Sequence, residues 1–328
     1  MTKNKLYRHM KWKKLGKIFD PTQHQLANNC KQFAQSPQAL VCDDVIRIYF
    51  TTREVEPSGK YLGHIAFVDF DKELKNIIQI SKNTVIPLGG LGSFDEHGIF
   101  PMNVLKYKNK IFGYTSGLSR RKSVSLETSI GLAFSNNEGL TFEKYGKGPI
   151  VSSSLHEPFL VCDAFVSVYE DVFHMWYIYG LKWIDNAEDD GTESRVYKIA
   201  HATSSDGIHW TKNSKLIIPN SIGEDECQAL PTVVKIGSRY HMYFCYRYAT
   251  GFRKIKGRGY KLGYAYSDDL INWTRDDKNA GIDLSEDGWD SEMMCYPHLF
   301  ESNGNVYLLY NGNEFGRTGF GVAVLDQG

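Results

Sequence analysis

One short apolar segment recurs five times along this 328-residue chain, and this repeat constrains the fold more than any other feature. Every copy alternates small and large residues with a period of two, as a packed β-strand does. Each copy also carries alanine at the same place. The copies lie at 62–70, 129–137, 198–206, 261–269 and 319–327.

Two further strand-like segments precede each copy. The second segments lie at 45–53, 110–117, 172–180, 239–247 and 305–313, and the third at 36–41, 100–105, 162–168, 230–236 and 296–302. A fourth follows at 140–145, 208–213 and 271–276. Antiparallel four-stranded units around an axis are the blades of a β-propeller. We therefore predict an all-β fold, in which 1–328 form a single five-bladed β-propeller domain with four antiparallel strands per blade. The blades are placed at 30–90, 91–152, 153–220, 221–286 and 287–328 plus 11–19.

The N-terminal segment 11–19, KWKKLGKIF, resembles the fourth strand that the last unit lacks. It would close the ring and cover an open sheet edge. The hairpin turns at 135–142, 204–210 and 267–273 resemble Asp-boxes, whose polar and glycine residues suit tight turns. We predict a structural role for them. Two stacked β-sandwiches are the alternative fold, which the regular spacing disfavours.

Composition excludes several classes of protein. The 38 basic and 38 acidic residues give a formal net charge of +0, which argues against a nucleic-acid partner. The chain contains no run of 18 apolar residues, so the sequence predicts no membrane-spanning helix. The basic N-terminus lacks the apolar core of a secretory signal, and none of the six cysteines forms a CxxC pair. Reduced thiols and a cytoplasmic location are therefore expected.

Acidic residues stand five or six positions before the anchor residue of the inner strand in four of the five units. The anchors are Pro37, Pro101, Asp163, Pro231 and Pro297. The acids are Asp95, Glu96, Glu157, Asp225, Glu226 and Glu292. Carboxylates arranged around a narrow mouth can divide into the acid and base that glycoside cleavage needs.

We predict that Asp95, Glu226 and Glu292 are catalytic. Capping of strand ends, or pairing with arginines, is the structural alternative. A divalent ion such as calcium would suit these oxygen ligands, but no EF-hand spacing supports it, so neither a metal nor a cofactor is expected.

Arg53 and Arg247 end the second strands of units one and four, and Arg317 follows that of unit five. Arginine suits carboxylate or phosphate, so the ligand is predicted to be an anionic sugar such as a uronic acid, a sialic-type acid or a sugar phosphate. The alternative is that these arginines only neutralise the acidic residues around the mouth. The other predicted substrate-binding residues are Glu96, His97, Glu157, Asp163, Tyr296 and Asn311. The loops at 180–198 and 248–261 are predicted to form a binding wall.

The units resemble the five-bladed propeller glycosidases, the superfamily that includes glycoside hydrolase families 43, 32, 68 and 130. The resemblance rests on the blade count, the DGIHW turn at 206–210 and the strand KLGYAYSDD at 261–269. The motifs at 95–101, 289–297 and 310–321 look like a bacterial family-43-like subgroup associated with polysaccharide biosynthesis. The resemblance implies a glycosidase or glycosyl-transferring enzyme.

The chain departs from the family-43 pattern of catalytic acids. The residue before the first-blade proline is Ser36, whereas that family usually has an aspartate there. The residue before Pro231 is Leu230, whereas a glutamate is usual at that place. Asp163 alone fits the middle acid. The departure leaves three other functions open: a glycoside phosphorylase or transferase, a non-catalytic glycan-binding propeller, and a protein-interaction scaffold.

Overall fold

The computed structural model describes residues 10–185 and 193–326, and they form five four-stranded antiparallel sheets. The predicted all-β propeller is confirmed. In chain order the strands are β1 (Trp12–Phe19), β2 (Gln35–Val41), β3 (Ile46–Val55), β4 (Tyr61–Phe70), β5 (Ile77–Ile80), β6 (Ile99–Tyr107), β7 (Lys110–Arg120), β8 (Leu126–Ser135), β9 (Glu143–Lys144), β10 (Phe159–Tyr169), β11 (Val172–Ile184), β12 (Ser194–Ser204), β13 (Thr211–Lys212), β14 (Glu226–Ile236), β15 (Arg239–Tyr248), β16 (Lys261–Ser267), β17 (Thr274–Arg275), β18 (Cys295–Ser302), β19 (Asn305–Asn311) and β20 (Phe320–Leu325).

Short helical turns connect some of these strands. Three are 3-10 turns, at Pro21–Gln23, Ala27–Asn29 and Asp277–Asn279, and the fourth is the single-turn helix Asn313–Gly316. No helix of the described residues is long and apolar enough to cross a membrane.

The sheets are the blades of a closed ring. Blades 1 to 4 are β2–β5, β6–β9, β10–β13 and β14–β17, and blade 5 is β18–β19–β20–β1. The first strands of the five blades contact one another in a circle and line the central channel. Strand β1 pairs antiparallel with β20, with Trp12 opposite Leu325. The predicted closure of the ring by the N-terminal strand is confirmed.

Every inner strand carries a break in its register at the same height. In four blades, a residue with left-handed backbone marks this break. These residues are Ser36 (φ 52), Asp163 (φ 58), Leu230 (φ 47) and Tyr296 (φ 57). Asp163 thus corresponds to the residue before each anchor proline, and Ala164 to the proline itself. The anchor that the sequence suggested for blade 3 is corrected by one position.

The apolar core lies between neighbouring blades. Aromatic residues after the Asp-box-like turns pack against the preceding blade. The pairs are Phe142 with Tyr49 at 5.8 Å, Trp210 with Tyr114 at 6.0 Å and Trp273 with Trp176 at 6.2 Å between ring centroids. These turns therefore hold adjacent blades together.

Candidate functional site

A buried carboxylate lies before or at the start of the inner strand in blades 2 to 5 and pairs with a basic residue on the outermost strand of the same blade. All four carboxylates are almost fully buried. The pairs are Asp95–Lys144 at 2.5 Å, Glu157–Lys212 at 2.5 Å, Glu226–Arg275 at 2.6 Å and Asp290–Lys14 at 2.7 Å. We call these the intrablade ion pairs.

Both carboxylate oxygens of Glu226 accept hydrogen bonds. One oxygen accepts from Arg275 and Gln228, and the other from the N–H groups of Ser221 and Ile222. Burial alone would raise the pKa of Glu226, but the hydrogen bonds from Arg275 and Gln228 outweigh it and lower the pKa. A carboxylate in this state is held ionised and is poorly placed to exchange protons.

Three predicted site acids, Asp95, Glu157 and Glu226, belong to these ion pairs and do not line the main cavity. The geometry favours the structural alternative for all three. Their predicted roles in catalysis or binding stay untested predictions, and they are not part of the site described below.

A cavity of about 930 Å³ opens at one mouth of the central channel, and residues from all five blades line it. We call it the mouth cavity. It lies where the inner strands begin and where the loops between second and third strands meet. Six predicted site residues line it, namely Arg53, His97, Arg247, Glu292, Tyr296 and Arg317. The predicted loop at 248–261 borders it, as does the described part of the loop at 180–198; residues 186–192 lie outside the described residues.

Two aromatic rings form the floor of the mouth cavity. Phe100 of blade 2 meets Tyr296 of blade 5 edge to face, with 5.5 Å between ring centroids. Tyr260 packs against Tyr296 from the side at 5.6 Å. An apolar floor of this kind suits the face of a sugar ring, while polar side chains above it fix orientation.

Arginines dominate the polar lining. Four of them lack an ion-pair partner: within residues 10–185 and 193–326, no carboxylate lies within ion-pair distance of any of these guanidinium groups. They come from blades 1, 3 and 4. The four, which we call the arginine cluster, are Arg53, Arg195, Arg247 and Arg253.

The contacts that hold Arg53 in place do not neutralise its charge. Its Nε donates to Gln35 Oε1 at 2.8 Å, and the guanidinium stacks on Phe33 and Tyr61, at 4.4 and 5.5 Å from the ring centroids. Burial lowers the pKa of Arg53, and the charge of Arg253 lowers it further. Its terminal N–H groups therefore remain available to an anion.

Arg247 is only 5% exposed. One terminal nitrogen donates to the Tyr248 carbonyl at 2.7 Å and the other to Tyr197 Oη at 2.9 Å, while Phe252 covers the guanidinium at 3.5 Å. The Nε is buried, and within residues 10–185 and 193–326 it has no hydrogen-bond partner. A buried cation without a counter-charge is costly, so this arrangement favours binding of an anion.

Like charges within the cluster act on Arg253. Burial lowers the pKa of Arg253, and the positive charges of Arg247 and Arg195 lower it further. Arg253 stacks on Phe252 at 4.3 Å, and Arg195 lies 5.6 Å from the Trp183 ring centroid. Contacts with aromatic faces thus help to hold these like charges close together.

Three carboxylates also line the mouth cavity: Glu193, Glu292 and Glu314. Glu292 is exposed, and its backbone N–H donates to Asn313 Oδ1 at 2.9 Å. Glu314 lies 3.8 Å from Arg317, and Glu193 accepts from the Ser125 N–H. Glu292 is therefore the one acid predicted to be catalytic that faces the cavity.

Asp163 lies at the level of the cavity floor in blade 3, because it corresponds to Tyr296 in blade 5. It is 6% exposed, and Oδ2 accepts from the Leu230 N–H at 3.3 Å. Burial raises the pKa of Asp163 to about 7, against the lowering effect of that hydrogen bond. Its side chain is thus the inner-strand acid that can exchange a proton near neutral pH.

The remaining predicted residues divide between the cavity rim and the framework. His97 lines the cavity and lies 4.0 Å from Glu96, which accepts from the Gly92 N–H. Asn311 is fully buried and bridges backbone groups of blades 1 and 5. Within the described residues, no group of His, Cys, Asp and Glu side chains is arranged to hold a metal ion.

Comparison with known proteins agrees with this architecture. No family model matches the chain. Over 319 residues it is 31% identical to the uncharacterised proteins Rv1502 and MT1551 of two Mycobacterium tuberculosis strains, covering 97% of this chain and 100% of each relative.

Solved structures share the fold at low sequence identity. A glycoside hydrolase superposes with a TM-score of 0.72 at 16% identity, covering 96% of this chain and 92% of its own. A thermostable family-43 glycoside hydrolase gives 0.63 at 16% identity over 89% of each chain. An exo-1,5-alpha-L-arabinanase from a bovine ruminal metagenomic library gives 0.61 at 14% identity, over 89% of this chain and 92% of its own. The predicted resemblance to five-bladed propeller glycosidases is thereby confirmed at the level of the fold.

Proposed function

Because the chain belongs to the same family as the mycobacterial proteins Rv1502 and MT1551, and has the propeller fold of glycoside hydrolases, we propose that it is a carbohydrate-active enzyme that cleaves or transfers a glycosyl group in the mouth cavity. One observation supports an anionic sugar as the substrate, namely the arginine cluster without carboxylate partners. The role in polysaccharide biosynthesis that the resemblance implies would be compatible with transfer as well as hydrolysis.

Chemistry in this cavity needs a group that moves a proton to or from the glycosidic oxygen. Glu292 is our candidate, because its side chain is exposed to the cavity and none of its carboxylate oxygens is engaged by a cation in the described residues. The floor formed by Phe100 and Tyr296 would support the sugar ring, and the arginine cluster would orient its negative charge.

The first test is turnover by Glu292→Gln. We screen the wild type against acidic and neutral oligosaccharides and follow the released reducing sugar or transfer product. We expect Glu292→Gln to lose turnover by about 10²-fold or more with little change in binding, as for removal of a general acid or base. Glu286→Gln is the matched control, since Glu286 is an exposed acid of the same loop that does not line the cavity.

A non-catalytic glycan-binding propeller is the second candidate. It is favoured by the intrablade ion pairs, which engage two of the three acids predicted to be catalytic. Tight binding of an acidic oligosaccharide without turnover, with phosphate and acceptor sugars supplied, would establish this function and contradict the enzymatic one.

A further inference from the structure

We propose that the arginine cluster is a phosphoryl-binding site, occupied either by a phosphate group on the sugar or by free inorganic phosphate. This inference rests on the proposed function and specifies the anion that the site selects.

The charge of the cavity exceeds what a single carboxylate neutralises. Among the described residues that line it, seven are arginine or lysine and three are glutamate. A uronic or sialic-type acid brings one negative charge, whereas a phosphate monoester carries about −1.5 to −2 at pH 7. The phosphoryl dianion therefore balances the lining better than a carboxylate does.

The number and origin of the donors also match a phosphoryl group. A carboxylate has two oxygens in one plane, which a single guanidinium fork can satisfy. Here guanidinium groups converge from three different blades, and burial, followed by the charge of neighbouring arginines, lowers the pKa values of Arg53 and Arg253. A tetrahedral group with three terminal oxygens can accept from several forks that approach from different sides.

The cluster is organised before any ligand arrives. Phe33 and Tyr61 flank Arg53, and Phe252 lies between Arg247 and Arg253. The buried Nε of Arg247 has no hydrogen-bond partner among the described residues. This is an independent sign of a ligand, because the cost of burying a cation without a counter-charge is relieved when an anion binds.

The test is isothermal titration calorimetry at pH 7.5 and low salt. The probes are glucose 1-phosphate, inorganic phosphate, glucuronic acid and glucose. The proteins are the wild type, Arg53→Gln, Arg253→Gln and the control Arg239→Gln, whose arginine pairs with Asp268 away from the cavity. We expect at least one phosphoryl probe to bind about tenfold or more tightly than glucuronic acid, and each cluster variant to weaken that binding about tenfold.

The melting temperatures of the cluster variants distinguish a ligand-binding role of these arginines from a structural one. Removing one of several repelling charges should leave the melting temperature of the ligand-free protein unchanged or higher, while phosphate should no longer raise it. A fall in that temperature for both variants, with phosphate binding retained, would overturn the proposal.

The outcomes separate this inference from the proposed function. Binding of inorganic phosphate alone identifies the free anion as the source, whereas preference for glucose 1-phosphate identifies a phosphorylated sugar; both support the proposal. Glucuronic acid binding more tightly than either phosphoryl probe would overturn it. If no phosphoryl probe binds at millimolar concentration while an oligosaccharide is turned over, the inference fails and the enzymatic function stands. If phosphoryl probes bind through the cluster and no glycan is turned over, the enzymatic function fails and the inference stands.

Discussion

Glu226 and Glu292 stand at the same distance from an inner-strand proline, yet the structure surrounds them differently. Glu226 is buried against Arg275, whereas Glu292 is exposed in the mouth cavity. The basic partners were visible in the sequence, because Lys144, Lys212 and Arg275 occupy corresponding places in the fourth strands. Acids and bases that repeat together favour one ion pair in each of these blades rather than a single active centre.

The pair of Glu226 and Arg275 gives a prediction at the residue scale. Glu226→Gln leaves a buried guanidinium without its main partner and should lower the free energy of unfolding by about 3 kcal/mol. The adjacent Asp225→Asn should cost little, since Asp225 and Lys182 form an ion pair with half-exposed side chains. Urea unfolding of both variants measures the difference. If Glu226→Gln instead unfolds like the wild type but has lost turnover, Glu226 would again be a candidate catalytic residue.

At the element scale, strands β11 and β12 hold two stacked histidines, of which His201 is buried and His174 is partly buried. His174 Nδ1 lies 3.0 Å from His201 Nε2, and both rings stack near Trp176. Burial, followed by the charge of His174, lowers the pKa of His201 to about 4, and burial also lowers the pKa of His174. The native blade therefore requires neutral rings at this place.

This pair predicts how stability depends on pH. In the unfolded chain a histidine takes up its proton near pH 6.5, whereas native His201 resists it until about pH 4. The contribution of His201 is thus complete above about pH 6.5 and is lost as the pH falls towards 4, at no more than about 1.4 kcal/mol per pH unit. Urea unfolding at several pH values should show a smaller loss of stability in this range for His201→Gln than for the wild type. The exposed His156→Gln should behave like the wild type, and an unchanged pH dependence in His201→Gln would contradict the argument.

At the scale of the whole molecule, the pairing of β1 with β20 closes the propeller ring. Strand β1 completes blade 5, and Phe19 at its end packs on Phe320 of the same blade and Phe50 of blade 1, at 5.4 and 5.1 Å. The first and last strands of the described residues thus pair in one sheet, where the last blade adjoins the first.

Phe19→Ala should therefore weaken the entire propeller. Loss of a buried ring at this seam is expected to cost about 3 kcal/mol or more. Leu15→Ala in the same strand is the control, because Leu15 is 45% exposed and should cost little. Thermal and urea unfolding report the effect. Equal stability of the two variants would show that the seam does not limit the stability of the ring.

The sequence by itself determined the blade count, the strand order and the ring closure. These follow from local patterns: alternation with a period of two, alanines that repeat in register, and an N-terminal segment that resembles the missing strand. It also located Arg53, Arg247, Arg317 and the basic loop at the cavity, because a propeller brings corresponding strand ends to one mouth.

Only the tertiary structure decided which charged residues are buried against each other and which line the cavity. In blades 2 to 4, ion pairs between the entrance of the blade and its outermost strand join residues about 50 positions apart, such as Glu226 and Arg275, and their burial depends on packing that no single segment encodes. The same holds for Arg195 and Arg253, which join Arg53 from other blades. Strand patterns specify the scaffold because side-chain alternation is local, whereas the site is a property of distances across the ring.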